Sequence, residues 1–299
     1  MTKRNRAVDM AKMVAAVCVI GIHAHPLGDI GGFPDFLVSD VLFRWAVPFF
    51  AVCTGYYLSF RTTWRSVWRF ALRVLWLYIG WSLFYLYILA YSWSKTGLLT
   101  PESFVGWFKS ALLGGSYYHL WYLAQLFWGI LFYWLIVRFV PKHLWLPLIV
   151  VLWLLGCYEY VYSTLIGGTK YVVMFNRFGA LTGSTVRILP LLLTGAIIAE
   201  HKPALSVNKY FIGAVMALMG LVAEALLLRA NGATRFSYII FTLPLAFFLF
   251  TTIESFGANR VDGEERRGEE RYKTHRPLQY EFIFASPGYY CGSAGVRYM

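Results

Sequence analysis

Charge is what this sequence has least of. Asp, Glu, Lys and Arg make up 14% of its 299 residues against 59% hydrophobic ones, and the mean hydropathy is +0.56. About a quarter of an ordinary soluble domain is charged, so this chain cannot clothe its whole surface for water, and lipid must solvate much of it. Metal-ligand spacing is missing too. Cys18, Cys53, Cys157 and Cys291 form no CxxC pair, and the first three sit in apolar runs as small core hydrophobes do. No metal site is expected. Nor does a small-x-small cleavage site follow the first apolar run, which ends in His23-Ala24-His25-Pro26. That run is expected to remain as a membrane span and not to leave as a signal peptide.

The formal charge of +12 would suit nucleic acid. The basic residues, however, form short clusters between apolar runs and build no basic domain, so no nucleic-acid partner is expected. Apolar runs are what the chain has in abundance, and about eight approach the ~20 residues that cross a bilayer. They run from Asp9 to His25, Leu37 to Leu58, Leu72 to Tyr91, Tyr117 to Val137, Trp145 to Leu165, Val186 to Ala199, Phe211 to Leu228 and Phe236 to Ile253. The expected fold is all-α: a polytopic transmembrane helix bundle over residues 1–257, followed by a charged, irregular tail over 258–299. The twelve Trp and twenty-one Tyr suit aromatic belts at headgroup level.

Loop charges orient the bundle. Lys3, Arg4 and Arg6, then Arg61, Arg65, Arg69 and Arg73, then Arg138, Lys142 and His143, then His201, Lys202 and Lys209 share one side if the N-terminus is cytoplasmic. The opposite loops carry Lys95, Lys109, Lys170, Arg177, Arg187, Arg229 and Arg235. Such a chain belongs in the cell membrane with both ends in the cytoplasm. Arg61, Arg65, Arg69 and Arg73 recur every four residues beside Trp64 and Trp68, one basic stripe on a helix. The stripe reads either as a juxtamembrane helix on anionic lipid or as a cytoplasmic site for a polyanion such as coenzyme A. The tail from Ala258 reads as a disordered cytoplasmic segment or as the product of an interrupted gene.

A titratable side chain inside a span is costly and marks a functional candidate. Lys12 precedes His23 by eleven residues, which is about three helical turns and about 16 Å along one face, with Asp9 one turn before Lys12. Imidazole is the side chain best suited to take a proton from a hydroxyl near neutral pH. The bland alternative is that His23 and His25 cap a span end against water or headgroups. His25 points roughly 200° away from His23 on the helix and is expected at the interface. Arg44 lies too deep in the second span to snorkel and should find a partner inside the bundle. Pro48 should disturb that helix, and Gly55 should let another helix approach. His119 opens HLWYL at the mouth of the fourth span, where an aromatic-belt residue is the plainer reading. Glu159 and Glu224 are buried carboxylates that are protonated, pair with Arg44 or mark an ion path.

Three segments in this order, DMAKMVAAVCVIGIHAH, FRWAVPFFAVCTGYYL and HLWYL, resemble the integral membrane acyltransferase family (acyltransferase 3), over roughly Arg4 to Ile253. The resemblance implies a helix bundle that moves an acyl group, usually acetyl, from a cytoplasmic donor such as acyl-coenzyme A, with no bound cofactor. Acceptors would be hydroxyls of cell-envelope glycans. His23 takes the place of the family's essential histidine, Lys12 that of its usual arginine, and Arg44 that of the second-helix arginine, with Asp9 and His119 as supporting groups. Lysine at position 12 is a point charge where arginine would offer a bidentate fork. The pattern HAHPL…FRWAVPFF…TGYYL is also similar to the membrane half of vancomycin-resistance membrane serine racemases, a half associated with serine supply. No racemase domain or cofactor lysine motif is visible, so racemisation is not expected. The family's further helices and late histidine are replaced here by the charged tail. A serine-uptake domain and a truncated, inactive product therefore stand as the alternatives to acyl transfer.

Overall fold

The computed structural model describes residues 5–167, 180–201 and 206–274. Cys291, Lys3, Arg4, Lys170, Arg177, Lys202 and the tail beyond residue 274 lie outside the described residues. The chain divides into two compact units, Met1–Gly257 and Ala258–Met299. In the second, the described backbone is helical as far as Thr274.

The described residues of the first unit are helices and connecting turns, without a strand. The helices are α1 (Arg6–Ala24), α2 (Gly32–Ser59), α3 (Trp64–Thr96), α4 (Pro101–Leu113), α5 (Trp121–Phe139), α6 (Lys142–Ile166), α7 (Leu181–His201), α8 (Val207–Ala230) and α9 (Thr242–Thr274). Seven of them (α1, α2, α3, α5, α6, α7 and α8) are long and apolar enough to cross a membrane, and the apolar part of α9, Thr242–Ala258, is a shorter one. The chain is a multi-pass helical membrane protein. The expected eighth span therefore begins six residues late, because 236–241 is not helical and its backbone is held by a side chain of α8.

Local chemistry sets the helix ends. Asn5 caps α1, its Oδ1 accepting from the Ala7 and Val8 N–H groups at 3.0 and 3.3 Å. Its Nδ2 donates to the Glu254 carbonyl at 3.0 Å, tying the first helix to α9. α1 buries Val8, Ala15, Cys18 and Ile22 and turns Met10, Met13 and Val17 outward, an apolar face that only lipid can solvate. It ends at His25 in the left-handed region (φ 47°), whose N–H bonds to the Gly21 carbonyl. Thr100 caps α4 through the Ser103 N–H, with Pro101 in the first turn; this helix has no counterpart in the apolar runs.

The basic stripe is not a separate juxtamembrane helix. No proline lies between Trp64 and Tyr91, and α3 runs for 33 residues through Arg65, Arg69 and Arg73, while Arg61 precedes it outside the helix. Val67, Ala71 and Val74 are buried on one side, while Arg65, Arg69 and Arg73 are exposed.

α7 is the centre of the bundle, with 72% of its apolar stretch buried against 22% for α1. Its run from Leu189 to Ala196 is buried on every side, as a helix surrounded by other helices must be. Backbone meets backbone there. A Cβ on Gly55 of α2 would lie 2.0 Å from the Leu192 carbonyl oxygen, and one on Gly195 would lie 2.2 Å from that of Val52. Gly156 makes the same kind of approach from α6, with 2.4 Å to the Val186 oxygen. Small residues let membrane helices close to this distance, gaining dispersion contacts where no hydrophobic driving force acts between them. Gly195→Leu should abolish the monodisperse detergent-solubilised species in size-exclusion chromatography. Gly80→Leu, where an added Cβ meets nothing within 4 Å, should leave that species intact.

Candidate active site

Irregular helix is what aims the site. Pro48 has no N–H, so the carbonyl of Arg44, four residues earlier, lacks its helical donor. The chain answers just upstream with a π-helical turn (Phe36–Val41) and a 3₁₀ turn (Leu42–Trp45). Arg44 is thereby turned inward. One terminal nitrogen ion-pairs with Asp40 one turn earlier, and the other donates to Ser237 Oγ at 2.6 Å. Another π-helical turn, Ser184–Ile188, breaks the start of α7 and presents Arg187. Its Nε lies 3.6 Å from Glu159 Oε2, close enough for charge but too far for a hydrogen bond. The guanidinium stands 5.9 and 5.6 Å from the ring centroids of Tyr160 and Tyr238.

These groups face a cavity of about 1050 Å³. From α1 comes His23, in its last turn. From the turn before α5 comes His119, whose ring meets that of His23 edge-on, centroids 4.7 Å apart and planes at 82°. Burial lowers the His119 pKa from its ordinary value, which favours the neutral imidazole. Arg44, Arg187, Arg235 and Tyr238 line the same cavity, and no carboxylate is among its lining residues.

Of the residues singled out by sequence, the cavity gathers His23, Arg44 and His119. Lys12 and Asp9 do not line it. They pair with each other at 3.6 Å, and the Lys12 ammonium stands 4.8 Å over the Tyr57 ring. His25 does not line the cavity: it is the left-handed cap after α1, so the helical angle does not apply, and its Nδ1 lies 2.7 Å from Asp35 Oδ2. Neither buried glutamate pairs with Arg44: Glu159 serves Arg187. Glu224 accepts from the Tyr162 hydroxyl and from the Ile240 and Phe241 N–H groups at 2.7 and 2.9 Å. That carboxylate pins the segment that carries Arg235, Ser237 and Tyr238. Arg187, Arg235 and Tyr238 were counted in loops or runs and assigned no role. The available signal was Arg187 inside an apolar run, the same cost that pointed to Arg44.

A histidine pair and three arginines brought to one cavity inside a membrane bundle make this cavity the candidate site. The chain belongs to the acyltransferase domain family (acyltransferase 3), which it matches over residues 5–261. It is 29% identical to a serine/alanine racemase of Enterococcus gallinarum over 266 residues, 84% of this chain and 37% of that protein. It is also 29% identical to an amino-acid racemase of Enterococcus faecalis over 160 residues, 52% of this chain and 23% of that protein. The chain thus spans little more than a third of the length of the first relative and less than a quarter of the second. No solved structure matches it.

Two outcomes follow from this geometry. Glu224→Ala leaves two backbone donors unpaired and should cost about 1.5–3 kcal/mol, read as a lower melting temperature in detergent, with Glu224→Gln recovering part of the loss. The folded state favours neutral His119, so the unfolded chain takes up protons first as pH falls through about 6.5. Thermal stability should drop across that window, and His119→Gln should flatten the drop.

Proposed function

We propose that the protein is a membrane-embedded O-acyltransferase, moving an acyl group, acetyl by preference, from a cytoplasmic acyl-coenzyme A to a hydroxyl of a cell-envelope glycan. The observation that carries the reading is the convergence of His23, His119 and Arg44 on one large cavity in a chain of the acyltransferase family. The N-terminus is cytoplasmic in this reading. Lys12 then lies on the donor side, about 16 Å along α1 from His23.

In the reaction, the His23 imidazole takes the proton of the acceptor hydroxyl as its oxygen attacks the thioester carbonyl. The oxyanion that forms is stabilised by fixed positive charge, Arg44 being the group held in place by Asp40 and Ser237. The C–S bond then breaks, the ester C–O bond remains, and the imidazolium returns its proton to the departing thiolate. Neutral His119 packs edge-on against His23 and restricts the ring.

A second reading draws on the relatives' names: a domain that admits serine for a racemase. Radiolabelled serine accumulating in vesicles that contain the protein and no acyl-coenzyme A would favour it. Under the acyltransferase reading, His23→Ala should lower acetyl transfer from acetyl-coenzyme A to glycan at least about 100-fold while membrane levels stay unchanged. Transfer equal to wild type would remove His23 from the mechanism.

A further inference from the structure

Beyond the histidine pair, the cavity has a second chemical character, and it is cationic. Arg44, Arg187 and Arg235 all line it. Asp40 balances Arg44 and Glu159 balances Arg187, each carboxylate standing outside the lining. Arg235 forms no ion pair among the described residues. Its guanidinium lies 5.9 Å from the Tyr160 ring centroid, the same distance as that of Arg187. Two like charges share one aromatic ring, and an anion between them would relieve their repulsion.

The hydrogen-bonding inventory points the same way. Tyr238 is 2% exposed, lines the cavity, and its hydroxyl has no hydrogen-bond partner among the described residues. Buried Arg44 Nε and Arg187 Nε also have none, the latter facing the equally unpartnered Glu159 Oε2 at 3.6 Å. Unfilled buried donors are costly, and guanidinium forks with a phenol suit the oxygens of a carboxylate or phosphate. An acceptor function is present as well, since Gln125, 4% exposed, has Oε1 unpartnered. Tyr118, Trp121 and Tyr122 add flat apolar faces on which a sugar ring can lie.

We infer that this side of the cavity is an acceptor subsite for an oxyanion, so that the sugar acylated is an acidic one, carrying a carboxylate or phosphate in addition to its reacting hydroxyl. The inference rests on the O-acyltransferase reading. The phosphates of the donor are the rival occupant. The subsite is built from Arg44 of α2, Arg187 of α7 and the segment after α8, in the cavity that also takes in the His23 end of α1, whereas the donor in this reading enters from the Lys12 end. Charge on the cavity side is therefore assigned to the acceptor.

The test uses the full chain in lipid nanodiscs. Binding of methyl glucuronide, glucose 1-phosphate and methyl glucoside is measured by calorimetry, and acetyl transfer to each is measured in parallel. One or both acidic sugars should bind at least about tenfold tighter than the glucoside, and which one does so separates carboxylate from phosphate recognition. Arg235→Gln and Tyr238→Phe should each abolish or reduce this preference and raise KM for the acidic sugar. Arg229→Gln, whose guanidinium lies over Phe33 and Phe36, should keep it. Equal binding of all three sugars would overturn the inference, as would an unchanged preference in both cavity variants. Displacement of the acidic sugar by adenosine 3′,5′-bisphosphate at equal affinity would assign the subsite to the donor and also overturn it. Binding decides these outcomes without any transfer, whereas absence of transfer to every sugar would count against the O-acyltransferase reading itself.

Discussion

The backbone contact between α2 and α7 holds the rest of the molecule in place. Gly55 and Gly195 leave no room for a side chain between the two helices, since each would drive a Cβ to about 2 Å from the other helix's carbonyl oxygens. With the axes that close, α2 and α7 act as one unit at the centre of the bundle, and Gly156 seats α6 against the same helix. Arg44 and Arg187 sit on the two members of that unit. Their common cavity is therefore a consequence of glycine packing, not of any attraction between two cations.

Above that contact, both helices depart from regular geometry where they meet the cavity. The π and 3₁₀ turns of α2 and the π turn of α7 fall at Arg44 and Arg187. Such interruptions recur at functional sites because they re-aim one side chain without displacing the helix. In a membrane they are tolerated where freed backbone groups find partners or line a cavity. Glu224 performs that service for the segment before α9, taking two backbone N–H groups into one carboxylate. Segment 235–241 can then carry polar side chains into the site without a helix of its own.

Much of this was legible in the sequence, for identifiable reasons. Apolar runs of membrane length gave the helices in order, because each run must satisfy its own backbone in lipid. The α1 stripe gave His23, and depth in an apolar run gave Arg44 and the need for a partner. Asp40 stood at the ordinary i,i+4 spacing from Arg44, whereas Ser237, the other partner, comes from a distant segment that no local spacing encodes. The His23–His119 contact joins residues far apart in the chain, and no local period encodes such a meeting. Arg235 and Tyr238 escaped notice because 236–241 was read as the start of a span. A carboxylate on α8 holds that stretch out of helix, and single-chain periodicity cannot register this. The basic stripe was visible as a stripe, yet the helix begins only at Trp64, so that Arg65, Arg69 and Arg73 share the third span and Arg61 does not.

The central claim is that one cavity brings a donor from one face of the membrane to an acceptor on the other. Proteoliposomes of uniform orientation, with labelled acetyl-coenzyme A on the side of the N-terminus and the acceptor sugar on the opposite side, test it most directly. The account predicts that labelled ester appears on the sugar across the bilayer while free coenzyme A accumulates on the donor side. Labelled ester that forms only when donor and acceptor share the same side would contradict it.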